Sequence, residues 1–288
     1  MSLLSSLPSL FSAKQRPYIR MGIIPLLTTL LCMACQPVSD SKSDTDNDNA
    51  QPTASQPVQT GNPQTANSQT ANSQAPVLNP PLQPLAEPIT TPITILAIGD
   101  SLTEGLGVAE QDNYPAQLQS QLRKAGYSNV SVVNSGLSGE TSTGLVNRLD
   151  WALKTQPDIT ILTTGANDAM RGVPVTTVDE NIRTAIERLQ DSGSTVILGG
   201  MEIYDNMGDD YVNQFSRIYP RIAKDTGVAY IPFFLNGVAG DANLNQKDAI
   251  HPTKEGYTYV VSNNILPVLI PVLTEVVQEK SSNTQNSP

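Results

Sequence analysis

The sequence is poor in the residues that build disulfide frameworks and metal centres. Its only cysteines, Cys32 and Cys35, lie near the N-terminus, and its only histidine is His251. The rest of the chain therefore cannot form a disulfide or a cysteine metal site, and one histidine cannot make a polyhistidine metal centre. Catalysis in the rest of the chain must therefore rely on neither a cysteine metal site nor a polyhistidine metal centre.

Basic residues are also scarce. The 288 residues include 17 lysines and arginines against 27 aspartates and glutamates, for a net charge of −10. No basic cluster follows the first 20 residues. A chain this acidic is a poor candidate for binding phosphate backbones, so we expect no nucleic-acid partner.

Residues 1–35 have the pattern of an export signal. Basic residues come first, and an apolar run from Met21 to Ala34 follows them. The run is shorter than the ~20 residues of a typical membrane span, and its length fits the core of a signal peptide. A short membrane anchor is the alternative.

The signal-like segment ends in Leu31-Cys32-Met33-Ala34-Cys35, which resembles a bacterial lipobox with the small Ala34 before the lipidated cysteine. Acyl chains on Cys35 would anchor a soluble domain to a membrane without a spanning helix. We therefore expect a lipoprotein of the bacterial envelope that faces the periplasm. Gln36 is not the usual inner-membrane retention signal of enteric bacteria, which favours the outer membrane. Cleavage followed by secretion is the alternative.

Residues 36–92 are built from Gln, Asn, Ser, Thr, Asp and Pro and contain few aliphatic residues. Such a segment buries too little apolar surface to offset the entropy of ordering it. We predict a disordered tether over residues 36–92 and a disordered tail over residues 280–288, on either side of one folded domain at 93–279.

Short apolar runs alternate with helical patterns through the folded domain, which predicts an α/β fold with a parallel sheet. We predict strands at Ile93–Ile98, Val130–Val133, Asp158–Thr163, Thr195–Leu198 and Val228–Pro232. Helical patterns are predicted at Pro115–Lys124, Thr141–Leu153, Val178–Gln190, Tyr211–Lys224 and Lys254–Val277. Parallel sheets bind their ligands at the carboxyl ends of the strands, where the polar segments of this sequence fall.

Two polar segments suggest nucleophilic catalysis. Ser101, in Gly99-Asp100-Ser101-Leu102, follows the first strand and would project its hydroxyl from the top of the sheet. His251 follows Asp248 by three residues and is the natural base for a serine at neutral pH. A carboxylate three residues before the histidine can accept a hydrogen bond from the ring nitrogen that does not face the serine. The alternatives are a helix-capping serine and a surface histidine before a turn.

Two further segments suggest an oxyanion hole. Ser138-Gly139-Glu140-Thr141-Ser142 follows the second strand, and Gly165-Ala166-Asn167-Asp168 follows the third. Gly139 permits close approach of its backbone N–H to a substrate, and the Asn167 amide can donate to the same oxygen. A tight turn and an Asx cap are the alternatives.

Together the four segments resemble the SGNH (GDSL-type) hydrolase family, especially its bacterial thioesterase/lysophospholipase/arylesterase type, over about Ile93 to Val277. The resemblance implies a three-layer α/β/α, flavodoxin-like fold with a five-stranded parallel sheet of order 2-1-3-4-5. It implies no metal and no organic cofactor. Ser101 would be the nucleophile of a triad with Asp248 and His251.

By the same resemblance, Gly139 and Asn167 join the Ser101 N–H in the oxyanion hole. The implied substrates are small acyl esters or thioesters, and Met201–Gly208 and Phe233–Leu235 could wall an acyl pocket. A carbohydrate O-deacetylase acting on envelope glycans is the alternative enzyme, and a non-catalytic binding lipoprotein is the alternative of another class. Glu104, Asp168 and Arg171 are expected to order loops near the site.

Overall fold

The apolar runs of the sequence form a parallel sheet. The computed structural model describes residues 77–285, and within them five strands pair in the order β2-β1-β3-β4-β5. The strands are β1 (Ile93–Gly99), β2 (Val130–Gly136), β3 (Ile159–Thr163), β4 (Thr195–Gly199) and β5 (Ala229–Ile231). Every pairing is parallel, so the carboxyl ends of the strands lie at one edge. The predicted fold class and strand order are confirmed.

Helices connect the strands and cover the sheet. They are α1 (Ser101–Glu104), α2 (Tyr114–Lys124), α3 (Ser142–Ala152), α4 (Ala166–Met170), α5 (Val175–Asp191), α6 (Asp209–Thr226), α7 (Lys254–Tyr259) and α8 (Leu266–Gln285). One group packs α3, α5 and α6 together, and α2 packs against α7 in another. All five residues of β3 are buried, which requires that helices cover both faces of the sheet.

The apolar spacing of α5 shows how sequence pattern becomes packing. Val178, Ile182, Ile186 and Leu189 recur every three or four residues, and all four are fully buried. This spacing places them on one side of a helix, so burying that side stabilises the helix against the sheet. Within the described region, the side chains of the core and those packed against it belong to residues between Leu82 and Val277.

Residues 77–92 differ from the predicted tether because they pack on the domain. The Leu85 N–H donates to the Ala125 carbonyl and the Ile89 N–H to the Gly126 carbonyl, each over 2.9 Å. Both side chains also pack against the core. These contacts offset the entropy that a polar segment alone cannot recover. The predicted signal, Cys35 and the rest of the tether lie outside the described residues.

The C-terminal tail also differs from its prediction, because α8 continues to Gln285. Lys280 forms an ion pair with Asp158 over 2.7 Å, and the Ser281 hydroxyl is hydrogen-bonded to the Thr91 hydroxyl over 3.3 Å. These contacts tie the last turns of the helix to the domain. Residues 286–288 lie outside the described part.

The closing helical stretch is apolar enough to resemble a membrane span. By length and composition alone, Lys254–Asn283 could cross a bilayer, with a mean hydropathy of 1.7. Just over half of that window is buried, and α8 contacts β4 and β5. The burial and contacts explain its hydrophobicity as that of a core helix. A π-helical turn at Val260–Ile265 joins α7 to α8.

Candidate active site

Ser101 stands at the first turn after β1. The Asp100 side chain caps α1 by accepting from the Leu102 N–H over 3.0 Å, and Ser101 is the first residue of that helix. Gly99 is required at the turn because a Cβ there would overlap the Thr163 carbonyl and hydroxyl on the neighbouring strand. The serine is therefore held at the carboxyl edge of the sheet, between β2 and β3.

His251 lies in the loop before α7, and Asp248 shapes that loop. One Asp248 carboxylate oxygen accepts from the backbone N–H groups of Ile250 and His251, each over 3.0 Å. Ala249, between Asp248 and Ile250, has a φ of 59°, in the left-handed region. The Gln246 N–H donates back to the His251 carbonyl over 2.8 Å, which closes the loop.

The structure brings Ser101, His251 and Asp248 together in one hydrogen-bonded line. His251 Nδ1 lies 2.7 Å from Asp248 Oδ2, and His251 Nε2 lies 2.8 Å from Ser101 Oγ. An ionised carboxylate can only accept, so Nδ1 carries the proton. Nε2 is then free to accept the proton of the serine hydroxyl. This tautomer is the one that general-base chemistry at Ser101 requires.

The Asp248 carboxyl has a lowered pKa, so it is ionised at neutral pH. Partial burial acts to raise its pKa, but donation by the backbone N–H of His251, then by that of Ile250, outweighs burial and lowers the pKa to about 2. The His251 ring lowers it further. A carboxylate that remains charged can hold the histidine tautomer and stabilise a protonated ring.

Three N–H groups near the serine are candidates for binding an oxyanion. Within residues 77–285, no protein group accepts a hydrogen bond from the backbone N–H of Ser101 or from that of Gly139. Gly139 has a φ of 75°, which favours glycine. The Asn167 amide is buried in α4 and donates to Asp100 Oδ2 over 3.3 Å, which leaves its second N–H available.

Asp100 is a buried carboxyl beside these groups. Its side chain is almost completely buried, and this burial raises its pKa from 3.8 to about 6. Donation from the Leu102 N–H and the Asn167 amide opposes the rise. The sequence motif includes Asp100, but nothing in the motif alone indicates that its charge is buried.

Arg148 orders the loops around the serine and was not identified from the sequence. Its guanidinium binds both Glu140 carboxylate oxygens over 2.6 Å, in a pair whose carboxylate is buried and whose arginine is partly exposed. The same group donates to the Ser135 hydroxyl and carbonyl, at 2.7 and 2.8 Å. It thereby fixes the end of β2 next to Gly139. Nothing in the sequence separates Arg148 from an ordinary surface arginine on α3.

Of the three residues expected to order loops, Asp168 and Glu104 do so. Asp168 accepts from the Ser142 N–H and hydroxyl, both over 2.7 Å, and Glu104 accepts from the Ser138 N–H over 2.7 Å. Arg171 is exposed, with its guanidinium next to Gly139.

In the described region, no group of three or more His, Cys, Asp or Glu side chains is placed to hold a metal ion.

A cavity of about 390 Å³ opens beside the serine. Leu102, next to Ser101, and Ala166, next to Asn167, form one side of it. The predicted segments after β4 and β5 form other parts of its wall, through side chains such as Met201 and Phe233. The lining is mainly apolar, so the cavity suits an acyl chain.

Comparisons with known proteins identify the family of the chain. The family model described as "GDSL-like Lipase/Acylhydrolase family" matches residues 97–259. Fold and relatives together define an enzyme of the class that hydrolyses ester bonds. The chain belongs to the GDSL-like lipase/acylhydrolase family, which confirms the SGNH (GDSL-type) resemblance of the sequence.

Named relatives include two bacterial enzymes. The chain is 34% identical over 181 residues to Esterase TesA of Pseudomonas aeruginosa, covering 62% of this chain and 89% of the relative. It is 31% identical over 168 residues to thioesterase 1/protease 1/lysophospholipase L1 of Escherichia coli K12, covering 58% and 79%.

A solved structure is also similar. The psychrotrophic esterase EstA from Pseudoalteromonas sp., inhibited by monoethylphosphonate, has a TM-score of 0.59 and 29% identity. The match covers 63% of this chain and 98% of that chain.

Proposed function

We propose that the enzyme is a serine hydrolase in which Ser101 is the nucleophile, His251 the general base and acid, and Asp248 the residue that orients the histidine. The observation that carries the proposal is the hydrogen-bonded line from Ser101 Oγ through the imidazole to the Asp248 carboxylate, with steps of 2.8 and 2.7 Å. The low pKa of Asp248, about 2, supports its role as a permanent negative charge.

Acyl transfer at this site takes two steps. His251 Nε2 takes the hydroxyl proton while Ser101 Oγ attacks the carbonyl carbon. The tetrahedral intermediate collapses, and its leaving alcohol or thiol departs with that proton. A water molecule then loses a proton to His251, attacks the acyl-enzyme and releases the carboxylic acid as the proton returns to Ser101 Oγ.

The oxyanion of each intermediate would be held by the Ser101 and Gly139 N–H groups and the Asn167 amide. Support comes from the two backbone donors, which no protein acceptor within residues 77–285 occupies. Support also comes from the buried bond to Asp100, which fixes the Asn167 amide before substrate arrives. Donors held in place beforehand stabilise developing charge without reorganising during the reaction.

The substrate we propose is a carboxylic ester or thioester with an apolar acyl group, of the arylesterase, acyl-CoA thioesterase or lysophospholipase type. The apolar cavity of about 390 Å³ next to Leu102 favours an extended acyl chain, since an acetyl group would leave most of it empty. That argument weighs against the carbohydrate O-deacetylase alternative. The names of the two bacterial relatives, an esterase and a thioesterase/lysophospholipase, support the same substrate class.

We also propose that acyl chains on Cys35 anchor the enzyme to a membrane of the bacterial envelope, with the catalytic domain facing the periplasm. Support comes from the sequence alone: the apolar run Met21–Ala34, the small Ala34 before Cys35 and the polar segment that follows. Acylation in place of a spanning helix would leave the domain free in the aqueous phase.

Hydrolysis of nitrophenyl butyrate by three variants tests the proposed roles. Ser101→Ala and His251→Ala should each lower kcat by about 10⁵–10⁶, and Asp248→Asn by about 10⁴, with unchanged circular dichroism. A Ser101→Ala variant with most of the wild-type rate would overturn the assignment. A panel of nitrophenyl esters, acyl-CoA thioesters, lysophospholipids and acetylated glycans then separates the substrate classes.

A further inference from the structure

Five exposed apolar side chains surround the proposed active site. They are Leu106, Leu137, Met170, Tyr204 and Ile250, which are between 37% and 60% exposed. Only three other large apolar side chains are this exposed in the described part of the chain: Val77, Leu78 and Trp151. Single exposed apolar residues need no explanation, but five concentrated around one site do. We name these five residues the active-site rim.

The rim residues come from five separate segments that meet at the carboxyl edge of the sheet. Leu106 follows α1, and its N–H donates to the Ser101 carbonyl over 3.1 Å. Leu137 directly follows β2, and its N–H donates to the Gly99 carbonyl over 2.9 Å. Met170 ends α4, after β3, and the remaining two residues lie in the loops after β4 and beside His251.

The rim is continuous with the acyl cavity. Met170, Tyr204 and Ile250 belong to the rim and also line the cavity. The Tyr204 hydroxyl donates to the Ala249 carbonyl over 3.1 Å, which holds the loop after β4 against the histidine loop. An acyl chain can therefore pass from the surface into the cavity along apolar side chains.

We propose that the active-site rim docks on a lipid surface with zwitterionic headgroups, from which the enzyme draws single acyl chains into its cavity. Docking is independent of the chemistry, whereas the uptake of an acyl substrate rests on the proposed function. The free energy falls when non-polar side chains at the surface of an otherwise polar domain leave water and enter the headgroup region of a membrane.

The chain outside the described region favours a membrane over other occupants. The predicted lipid anchor at Cys35 is separated from Val77 by the polar residues 36–76. If those residues form the disordered tether that their composition predicts, the root-mean-square span would be about 35 Å. An anchored domain would thus stay close to the bilayer and could turn its rim toward it.

The charge around the rim favours neutral over anionic headgroups. Glu202, Asp205 and Asp248 are exposed at this edge, against Arg171 and Lys247. The whole chain carries a net charge of −10. An anionic surface would repel this face, as would the same face of a second copy of the chain, whereas a zwitterionic surface would not.

Vesicle flotation of residues 36–288, which include every residue that the structure describes, tests the proposal without any hydrolysis. The rim variant is Leu106→Ser/Leu137→Ser, which changes two rim residues that do not line the cavity. The control is Trp151→Ser, which removes a 64% exposed apolar side chain of α3 outside the rim. Leu137→Ser alone serves as a milder variant. Each protein is floated with phosphatidylcholine vesicles and with phosphatidylglycerol vesicles.

We expect the wild type and Trp151→Ser to float with phosphatidylcholine vesicles and less with phosphatidylglycerol vesicles. The double rim variant should lose about tenfold in partition coefficient, because two half-exposed leucines no longer contribute apolar burial. Leu137→Ser alone should lose less. Nitrophenyl butyrate hydrolysis in solution should be unchanged in all of them, and Ser101→Ala should float like the wild type.

Equal flotation of the wild type and the rim variants would overturn the proposal, as would a wild type that does not float. Sedimentation velocity showing a wild-type dimer that the double variant lacks would also overturn it, by assigning the rim to a second copy of the chain. Loss of nitrophenyl butyrate hydrolysis in Ser101→Ala with normal flotation supports both proposals separately. Retained hydrolysis in that variant would overturn the proposed function and leave the docking result standing.

Discussion

The Asn167 amide donates to the Asp100 carboxylate over 3.3 Å, and both side chains are buried. Asp100 precedes the proposed nucleophile after β1, whereas Asn167 follows β3. The bond therefore links the nucleophile turn to a proposed oxyanion donor in α4, directly after the neighbouring strand β3. It also fixes a carboxylate in a buried position, which has consequences for activity and for stability.

The first prediction concerns the donor. Asn167→Ala should lower kcat/KM for nitrophenyl butyrate by about 10²–10³, because one preorganised oxyanion contact is lost. Asn167→Asp retains the volume of the side chain but replaces the donor with a negative charge, so it should be at least as impaired. Circular dichroism checks that both variants are folded. Near wild-type kinetics for Asn167→Ala would remove the residue from the oxyanion hole.

The second prediction concerns the buried carboxyl of Asp100. Burial raises its folded-state pKa to about 6, above the unfolded value of 3.8. Its protonation therefore contributes stability that is fully present below pH 3.8 and is lost as the pH rises through about 6. The free energy of unfolding of the wild type, minus that of Asp100→Asn, should fall between pH 3.5 and 7. The fall should be roughly 3 kcal/mol, at about 1.4 kcal/mol per pKa unit.

Urea unfolding of both proteins across that pH range measures the difference. Other titrating groups are shared, so their contributions cancel between the two proteins. A difference that stays constant from pH 3.5 to 7 would show that the Asp100 pKa is not raised in the folded state.

Local pattern was sufficient to predict the central strands. The apolar runs at β1 and β3 are buried on both faces, so their sequences identify them. The end of β2 could not be predicted, because Asn134 and Ser135 are polar. They join the strand since the ladder with β1 continues to the Gly99–Gly136 pair. Residues 77–92 were missed for the same reason: their hydrogen bonds depend on a partner segment distant in sequence.

In the site, too, features set by local sequence could be predicted, whereas features set by tertiary contacts could not. Parallel pairing places strand ends at one edge, so a site at Ser101 could be predicted from its position after β1. That His251 meets Ser101 there was implied by the family resemblance, since His251 lies in a long loop between β5 and α7. The bonds of Arg148 to Glu140 and Ser135 could not, since they depend on how α3 packs beside β2. The burial of Asp100 likewise follows from tertiary packing.

The third prediction concerns the acyl cavity. Ala239 lines it, is exposed and has an ordinary backbone conformation, so a larger side chain there needs no unusual backbone geometry. Ala239→Phe should lower the kcat/KM for nitrophenyl octanoate relative to nitrophenyl butyrate by about tenfold, because the ring fills space needed by the longer chain. The short ester serves as an internal control. An unchanged ratio would place the acyl chain elsewhere.

The fourth prediction concerns the anchor. Cys35→Ser should release the protein from bacterial membranes into the soluble envelope fraction, because the site for acyl chains is lost. Cys32→Ser is the matched control and should stay with the membranes. Membrane fractionation with an antibody to the domain measures both. Identical membrane retention of the two variants would contradict lipidation at Cys35.

The central claim is that Ser101 is made nucleophilic by His251, and its most direct test is covalent labelling. A fluorophosphonate probe is suitable because it reacts covalently with an activated serine hydroxyl, and Ser101 Oγ lies 2.8 Å from His251 Nε2. Peptide mass spectrometry should find the wild-type chain modified at Ser101, with the labelling rate reduced by at least about 10³ in His251→Ala, since the general base is absent. Labelling at a different serine, or an equal rate in His251→Ala, would contradict the claim.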